Sequence, residues 1–289
     1  MQPAFQKVVI FGVGLIGGSF SLALRKAGAV TEVVGFGRSA TTLNEAKQLG
    51  ILDRIGVDVA SEVGDADIVL VATPVAQMAE IFTRIAPHLG VNTLVTDGGS
   101  TKGDVVAAAR ANLGDKLSQF IPAHPIAGGE KSGASAALAD LYQGKRVVIT
   151  PLPENSKDAI ARIRNAWEIC GANVSELTAE QHDTVFAAVS HLPHLLSFAL
   201  VHDLAKRENK DQLLSFAASG FRDFTRIAAS SPEMWRDICM ANREALMSEL
   251  QQYAAELYVI HQALESNDAT KLEAIFSLAR EVRSAWVQK

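Results

Sequence analysis

The feature that most constrains the fold is a glycine-rich turn near the amino terminus. The apolar run 7–11 leads directly into Gly12-Val13-Gly14-Leu15-Ile16-Gly17, and a helical pattern follows. In a strand–turn–helix unit, glycines at this spacing permit a tight turn, let the backbone approach a pyrophosphate and let the helix pack closely on the strand. The free N–H groups at the start of the helix also attract phosphate. We therefore predict a dinucleotide site that includes Gly12, Gly14, Leu15, Ile16 and Gly17. A purely structural glycine turn is the alternative.

The segment after the second predicted strand, 32–36, indicates which dinucleotide is preferred. In this type of fold, an acidic residue about 20 positions after the glycines binds the ribose 2′-hydroxyl of NAD. Here the segment reads Gly37-Arg38-Ser39, and Glu32 lies at the opposite end of the strand. Arg38 can pair with a 2′-phosphate, and Ser39 can donate a hydrogen bond to it. We predict that NADP is preferred and that NAD is the weaker alternative, unless Arg38 is a solvated loop residue that only stacks on adenine.

The first 177 residues alternate between strand-like and helical patterns. The strand-like runs are 7–11, 32–36, 68–72, 94–96, 119–122, 146–150 and 173–177, and the helical patterns are 16–26, 40–49, 75–85, 102–112 and 156–170. Such alternation indicates β–α–β units and a mostly parallel sheet. All but two of the 21 glycines fall in the first 150 residues, and only helical patterns follow residue 177. We predict an α/β chain with a Rossmann-type dinucleotide-binding domain over 1–177 and an all-α substrate and dimerisation domain over 178–289.

A long uninterrupted helical pattern lies in the carboxy-terminal half. Ser231-Pro232-Glu233 is typical of a helix start, and no strong breaker occurs before Ser266-Asn267-Asp268. The pattern predicts one helix of more than about 30 residues, or about 50 Å. A helix of that length rarely lies alone on a small domain, so we expect a homodimer formed through the carboxy-terminal helices. A single long core helix is the alternative.

Composition and charge disfavour several classes of protein. The net charge of −5 argues against a nucleic-acid-binding role. Two cysteines, Cys170 and Cys239, are too few for a disulfide framework, and no metal-ligand spacing is present, so we expect no metal and a reducing environment. The uncharged segment 8–24 approaches the length of a membrane span but is interrupted by glycines, and no other segment competes. We expect a soluble, cytoplasmic protein that does not bind membranes.

Three polar segments follow predicted strands at the edge where ligands bind to open parallel sheets. They are Thr73-Pro74, Asp97-Gly98-Gly99-Ser100-Thr101-Lys102 and His124-Pro125-Ile126-Ala127-Gly128-Gly129-Glu130. We expect Thr73 and Pro74 to contact the cofactor. His124 falls in a predicted proline- and glycine-rich loop, where a histidine suits proton transfer near neutral pH. Ser100 orients His124 and its substrate, caps the helix that begins near Lys102, or does both.

The helical half contains two further candidate groups. One is Ser190-His191-Leu192-Pro193-His194, and the other is Gly220-Phe221-Arg222-Asp223-Phe224-Thr225-Arg226. Arg222 and Arg226 are four residues apart, which places them on one face of a predicted helix. Two guanidinium groups suit a dicarboxylate substrate, because each can bind a carboxylate through two hydrogen bonds. Surface ion pairing, for instance between Asp223 and Arg226, is the alternative.

Taken in order, these segments resemble the prephenate and arogenate dehydrogenase family of tyrosine biosynthesis. The motifs that carry the resemblance are Gly12-x-Gly14-x-x-Gly17, Asp97-x-Gly99-Ser100-x-Lys102, His124-Pro125-x-Ala127-Gly128-x-Glu130, Ser190-His191-Leu192-Pro193-His194, Phe221-Arg222-Asp223-x-Thr225-Arg226 and Trp235. The resemblance implies an oxidative decarboxylation. A ring hydroxyl loses its proton, hydride passes to the nicotinamide, carbon dioxide leaves and the ring becomes aromatic.

The resemblance also implies roles for individual residues. His124 takes the hydroxyl proton, and Ser100 orients both His124 and the hydroxyl. Arg226 binds a substrate carboxylate. The other positions implied to lie around the substrate are Ser190, His194, Arg222, Glu130 and Trp235; of these, Glu130 influences access and inhibitor binding, and Trp235 approaches the active site of the partner subunit.

Three alternatives stay open. The sequence does not separate prephenate from arogenate, although the resemblance, combined with the predicted NADP preference, implies arogenate or the use of both. Another two-domain NADP-dependent reductase, acting on a hydroxyacid or an imine, explains the glycine turn but not His124, Ser100 and Arg226 together. A non-catalytic NADP-binding protein would bind cofactor without turnover.

Overall fold

The computed structural model describes residues 3–129 and 131–287. The strands are β1 (Phe5–Phe11), β2 (Val30–Phe36), β3 (Arg54–Ile55), β4 (Ile68–Val71), β5 (Leu94–Asp97), β6 (Phe120–Ile121), β7 (Ala123–Pro125), β8 (Arg146–Ile149) and β9 (Asn173–Glu176). The helices are α1 (Leu15–Lys26), α2 (Ala40–Gln48), α3 (Val59–Val63), α4 (Met78–Ile85), α5 (Gly103–Leu113), α6 (Lys157–Ile169), α7 (Ala179–Phe186), α8 (Leu192–Ala205), α9 (Lys210–Ser215), α10 (Ser219–Thr225), α11 (Pro232–Ala241), α12 (Arg243–Glu265) and α13 (Ala269–Val287). Every strand and helix predicted over residues 1–177 is present with ends shifted by a few residues, whereas β3, α3 and β7 were not predicted.

The central element is a parallel sheet of six strands in the order β3-β2-β1-β4-β5-β6. Successive residues of a strand point to opposite faces, so β1 supplies Val8 and Ile10 to one apolar cluster and Val9 and Phe11 to the other. Helices α1 and α6 pack on the first face, and helices α4 and α5 pack on the second. Both faces are thereby covered, as a parallel sheet requires. The predicted Rossmann-type fold is confirmed.

The strand order reverses beside β1, whose neighbours are β2 and β4. In open parallel sheets a ligand crevice forms outside the carboxyl ends of the strands at such a point. Gly12 follows β1 there and Ala72 follows β4. The topology therefore places the glycine turn at the mouth of a crevice.

A second sheet has three strands in the order β7-β8-β9. Strand β7 runs antiparallel to β8, and His124 lies opposite Val148. The prediction of a loop at His124 was therefore wrong, because this residue lies within a short strand. Strand β7 has only three residues, one of which is Pro125, so its sequence shows neither an alternation of apolar and polar residues nor a preference for strand. Only its pairing with β8 defines it as a strand.

Helical residues run without interruption from Ala179 to Ala205, and α7 joins α8 through a π-helical turn at Ala187–His191. Such turns contain one residue more than an α-turn and are frequent at functional sites. By length and composition alone this 27-residue segment could cross a membrane, which the sequence analysis overlooked. Its buried polar residues His182, His191 and Ser197 all hydrogen-bond within the fold. We therefore interpret the segment as part of the site.

The single helix predicted after Pro232 is two helices. Helix α11 ends at Ala241, and Asn242 adopts φ −102° and ψ 33°. The Asn242 Nδ2 group donates to the backbone oxygen of Asp183 at 2.7 Å and lies 3.0 Å from Nδ1 of His191. These contacts hold Asn242 out of the helical conformation, so the predicted continuous helix was wrong.

The chain divides into two compact units, one ending at Asn242 and the other beginning at Arg243. The second unit consists of α12 and α13, joined by a turn in which Asn267 has φ 54°. Many of its large apolar side chains are exposed, including Leu250, Leu257, Tyr258, Leu264, Phe276, Leu278, Val282 and Trp286. An apolar surface of this extent is typical of a protein–protein interface.

Candidate active site

A cavity of about 430 Å³ opens at the carboxyl ends of β1, β2 and β4. The predicted cofactor residues that line it are Gly12, Gly14, Arg38, Ser39, Thr73 and Pro74. Among the described residues, the lining does not include Leu15, Ile16 or Gly17, which form the first turn of α1. Phe11 and Phe36 form one wall, with their rings stacked at a centroid distance of 4.9 Å.

The glycine turn brings three pieces of backbone too close together for side chains. Gly12 has φ 92°, and a Cβ atom there would lie 2.6 Å from the carbonyl oxygen of Ala72. A Cβ atom at Gly17 would lie 2.2 Å from the carbonyl oxygen of Gly12. At Gly14, which immediately precedes α1, a Cβ atom would meet nothing within 4 Å. This open approach to the start of a helix fits the pyrophosphate of a dinucleotide.

Helix α4 contributes polar side chains that sequence analysis missed. Gln77, just before the helix, and Glu80 and Arg84 within it line the same cavity as Arg38. Their spacing of three to four residues places them on one helical face, and this spacing after Pro74 is the signal by which they could have been found. The cavity thus holds two guanidinium groups and one carboxylate.

The strand that carries His124 approaches the start of α1. Its strand neighbour Pro125 and the α1 residue Ile16 both adjoin Gly98, where a Cβ atom would be 3.9 Å from Pro125 and 2.9 Å from Ile16. The Nδ1 atom of His124 is 2.8 Å from Nε2 of His182. The structure therefore brings strand β7 towards the first turn of α1 and brings His124 into contact with a histidine of α7.

A fully buried ion pair fixes the strand that carries His124. Lys102 Nζ pairs with the Asp97 carboxylate. Lys102 Nζ also donates to the carbonyl oxygen of Ala123 at 2.9 Å, and Asp97 Oδ1 accepts from the Ala123 N–H at 3.0 Å. A buried ion pair is tolerated when its remaining atoms are hydrogen-bonded in this way. Asp97 and Lys102 therefore anchor the residue directly before His124.

Asp183 caps α5 although it belongs to α7. Its Oδ1 atom accepts from the backbone N–H of Lys102 at 2.8 Å, and its Oδ2 atom accepts from that of Gly103 at 2.7 Å. Asp183 Oδ1 also lies 2.8 Å from Nδ1 of His182. The Ser100 hydroxyl has no hydrogen-bond partner among the described residues, so the alternative role of Ser100 as helix cap was wrong.

Burial keeps the histidines of this site neutral. It lowers the pKa of His124 well below 6.5, and the neighbouring His182 and Lys102 lower it further. Burial also lowers the pKa of His182 and brings that of His191 to about 4. Burial alone would raise the pKa of Asp183, but hydrogen bonds from His182 and from two backbone N–H groups outweigh it, and the net shift is downward. At neutral pH the imidazoles of His124, His182 and His191 are neutral and the Asp183 carboxylate is ionised.

A second histidine group lies on α8. His194 Nδ1 is 2.8 Å from the carbonyl oxygen of Ser190, and its ring stacks on Trp235. Burial lowers the pKa of His194, and the charge of nearby Arg226 contributes to the same shift. Trp235 thus contacts a histidine of its own subunit, and its implied approach to the partner's active site stays a prediction. Ser190 contributes its carbonyl group to this arrangement.

The two arginines lie in successive elements. Helix α10 ends at Thr225, and Arg226 begins a short 3-10 turn, Arg226–Ala229. The placement of Arg222 and Arg226 on one helical face stays a prediction. The structure brings Arg226 near His194, and no contact among the described residues links Arg222 to this group. Glu130 lies outside the described residues.

Together, a nucleotide-binding sheet and a neutral histidine on a strand that approaches the start of α1 define a dinucleotide-dependent oxidoreductase. Family comparison specifies which one. The model described as "Prephenate dehydrogenase, nucleotide-binding domain" matches residues 20–176, and "Prephenate dehydrogenase, dimerization domain" matches residues 178–278. The chain belongs to the prephenate dehydrogenase family.

Individual relatives agree. A prephenate dehydrogenase of Bacillus subtilis is 36% identical over 98% of this chain and 76% of its own length. A cyclohexadienyl dehydrogenase of Zymomonas mobilis is 33% identical over 98% of this chain and 97% of its own length. The structure of an A. aeolicus prephenate dehydrogenase in complex with hydroxyphenyl propionate and NAD+ superimposes with a TM-score of 0.89, at 34% identity, over 97% of this chain and 98% of that one.

Proposed function

We propose that the protein catalyses the oxidative decarboxylation of prephenate, arogenate or both, with hydride transfer to NADP, in tyrosine biosynthesis. The products are 4-hydroxyphenylpyruvate from prephenate and tyrosine from arogenate. The observation that carries the proposal is His124, a neutral histidine held by strand β7, which approaches the start of α1. The cyclohexadienyl dehydrogenase among its relatives supports this substrate class.

His124 is the general base of the proposed reaction. It accepts the proton of the ring hydroxyl at Nε2, because its Nδ1 is engaged with His182. When bound, the nicotinamide supplies the acceptor for the hydride that leaves the hydroxyl-bearing carbon, while the bond from the ring to its carboxylate breaks and releases carbon dioxide. The electron pair of that broken bond completes the aromatic ring. The proton that His124 accepts returns to the ring oxygen, so the substrate loses one hydride and one carbon dioxide in all, and the product is a phenol.

Residues of the helical half bind the substrate in this proposal. Arg226 pairs with a carboxylate, because a guanidinium offers two parallel N–H groups to it. His194 presents Nε2, since its Nδ1 is engaged with Ser190. Ser100 orients the hydroxyl beside His124. The remaining proposed substrate-contacting positions are Arg222, Glu130 and Trp235.

The proposed preference for NADP rests on charge at the cavity. Arg38 and Arg84 line it together, and Ser39 accepts a hydrogen bond from the Thr42 N–H at 3.2 Å, which leaves the hydroxyl proton of Ser39 free to donate. No acidic residue occupies the segment between Phe36 and Thr42. NAD is the weaker alternative.

A homodimer through the carboxy-terminal helices is part of the proposal. Within residues 179–242, exposed apolar side chains include Val185, Val189, Leu200, Leu214, Phe216, Phe224 and Met240. Together with the exposed apolar side chains of α12 and α13, they supply the surface that a homodimer would bury. Light scattering coupled to size-exclusion chromatography measures the mass directly, and a monomer at micromolar concentration would contradict this part. A cytoplasmic location remains a prediction.

One assay tests the proposed activity. The purified protein is mixed with prephenate or arogenate and with NAD or NADP, and the absorbance of the reduced nicotinamide is followed. We expect turnover of at least one substrate and a higher kcat/KM with NADP. Turnover of a hydroxyacid or imine alone would favour the other reductases, and cofactor binding without turnover of any substrate would favour a non-catalytic role.

A further inference from the structure

We propose that His182 and Asp183 are positioning residues that hold His124 in the tautomer with an unprotonated Nε2 atom. The catalytic consequence rests on the proposed function, whereas the tautomer itself is a property of the protein without substrate. Neither residue belongs to the motifs that drew attention in the sequence.

The chain of hydrogen bonds allows one assignment of protons. An ionised carboxylate only accepts, so His182 carries its proton on Nδ1, 2.8 Å from Asp183 Oδ1. The Nε2 atom of neutral His182 is then an acceptor. His124 Nδ1, 2.8 Å from that atom, must donate to it. The lone pair of neutral His124 is consequently on Nε2, the atom that faces away from His182.

Three hydrogen bonds that involve backbone groups hold Asp183 in place. The direction of the hydrogen-bond chain therefore cannot easily reverse. Its carboxylate accepts from the N–H groups of Lys102 and Gly103, at the start of α5. Both the hydrogen bonds and the helix dipole favour the ionised form. Its own carbonyl oxygen accepts from Asn242 Nδ2 at 2.7 Å. The acceptor end of the chain is therefore charged and immobile.

Packing excludes competing partners for His182. Its side chain is fully buried. The ring of Phe186 lies 4.5 Å from the His182 ring and 4.9 Å from the His124 ring, measured between centroids. The two imidazoles are 5.0 Å apart at an angle of 61°. An apolar wall on one side leaves each ring nitrogen of His182 with a single polar neighbour.

The same hydrogen bonds also stabilise His124 after it has accepted a proton. When His124 Nε2 has accepted a proton, the ring carries a positive charge and both nitrogens bear protons. His182 Nε2 still accepts from Nδ1, and the Asp183 carboxylate lies one ring further along. No proton needs to move through the chain for this stabilisation.

Kinetics of two His182 variants separate positioning from packing. His182→Leu fills the space without an acceptor, whereas His182→Gln offers an amide oxygen to His124 Nδ1. We expect kcat to fall about 100-fold in His182→Leu, with KM changed less than about threefold, and to recover to within about tenfold of the wild type in His182→Gln. His88→Gln, at an exposed site, is the matched control. Equal losses in the Leu and Gln variants, or a loss confined to KM, would overturn the proposal.

A measurement without substrate tests the tautomer directly. Imidazole 15N resonances of the full-length protein, with His124 assigned by its absence in His124→Asn, report which nitrogen carries the proton. We expect a proton on Nδ1 of His124 in the wild type. A proton on Nε2 would refute the assignment whatever the enzyme turns over. A protein with the expected tautomer that turned over no cyclohexadienyl substrate would instead refute only the proposed function.

Discussion

The imidazole of His194 stacks on the indole of Trp235, with ring centroids 3.6 Å apart and planes inclined by 19°. The same imidazole is held at Nδ1 by the carbonyl oxygen of Ser190. Its orientation is thus fixed both by a ring face and by a hydrogen bond. The indole Nε1 atom of Trp235 is buried without a hydrogen-bond partner among the described residues. Stacking, rather than hydrogen bonding, therefore explains a tryptophan at this position.

Trp235→Phe and Trp235→Ala should consequently behave differently. The phenylalanine keeps an aromatic face against His194 and removes an unpaired N–H, so we expect a free energy of unfolding within about 1.5 kcal/mol of the wild type. The alanine leaves a cavity, and we expect a loss of about 3–5 kcal/mol together with a raised substrate KM. Urea denaturation and steady-state kinetics measure both effects. A similar loss in the two variants would contradict the stacking role.

Replacing His124 should act on the chemical step. We expect His124→Asn to lower kcat by about 100- to 10,000-fold, the usual effect of removing a general base. KM should change little, because the carboxylate contacts lie elsewhere in the proposed site. Stopped-time and continuous assays at saturating substrate measure this ratio. A kcat within tenfold of the wild type would remove His124 from the role of base.

Replacing Arg226 should act mainly on substrate binding. We expect Arg226→Ala to raise KM by about 10- to 100-fold, which corresponds to the loss of one charge-assisted contact. Arg207→Ala removes an equal charge from an exposed ion pair with Asp203 and serves as control. An unchanged KM in Arg226→Ala would place the carboxylate site at another residue.

The charge at the cavity should decide between the cofactors. We expect Arg38→Ala to raise KM for NADP by about tenfold or more while KM for NAD changes little, because only NADP carries the 2′-phosphate. Lys47→Ala removes a positive charge from the exposed surface of α2 and is the control. Parallel changes for both cofactors would indicate that Arg38 contacts a part they share.

Buried neutral histidines make the fold sensitive to acid. His191 has a pKa of about 4 in the folded protein, against 6.5 for an ordinary histidine. As pH falls, the unfolded chain binds a proton first, so the stability contribution is complete above pH 6.5 and is lost progressively between pH 6.5 and 4. The shifted pKa of His191 accounts for a loss of about 3 kcal/mol in the free energy of unfolding over this pH range. Urea denaturation at several pH values should show a smaller loss in His191→Gln, and an unchanged loss would contradict this origin.

The part of the molecule that the sequence could predict is the part governed by local rules. The strand–turn–helix unit around Gly12 and Gly17 has a periodicity and spacing that few other folds produce. The alternation of strands and helices up to residue 177 follows from the same kind of local pattern. The positions of Arg38 and Thr73 in the cavity lining followed because the carboxyl ends of parallel strands share one edge.

What could not be predicted depends on contacts between distant segments. His182 lies 58 residues from His124, and nothing in its helical pattern marks it as a partner of that residue. The end of α11 at Asn242 depends on Asp183 and His191, 59 and 51 residues away. Asparagine is only a weak helix breaker in isolation, so its effect here comes from the hydrogen bonds it finds in the folded chain.

The π-helical turn between α7 and α8 sets the angular register of the two histidine groups. Each residue advances a helix by about 100°, and this turn contains one residue more than an α-turn. A deletion of one residue between Phe186 and Leu192 would leave an unbroken helix, yet it would rotate His194 by about 100° relative to His182. Insertions and deletions in this short stretch would therefore be far more harmful than substitutions at its exposed positions, even though the helix itself would tolerate them.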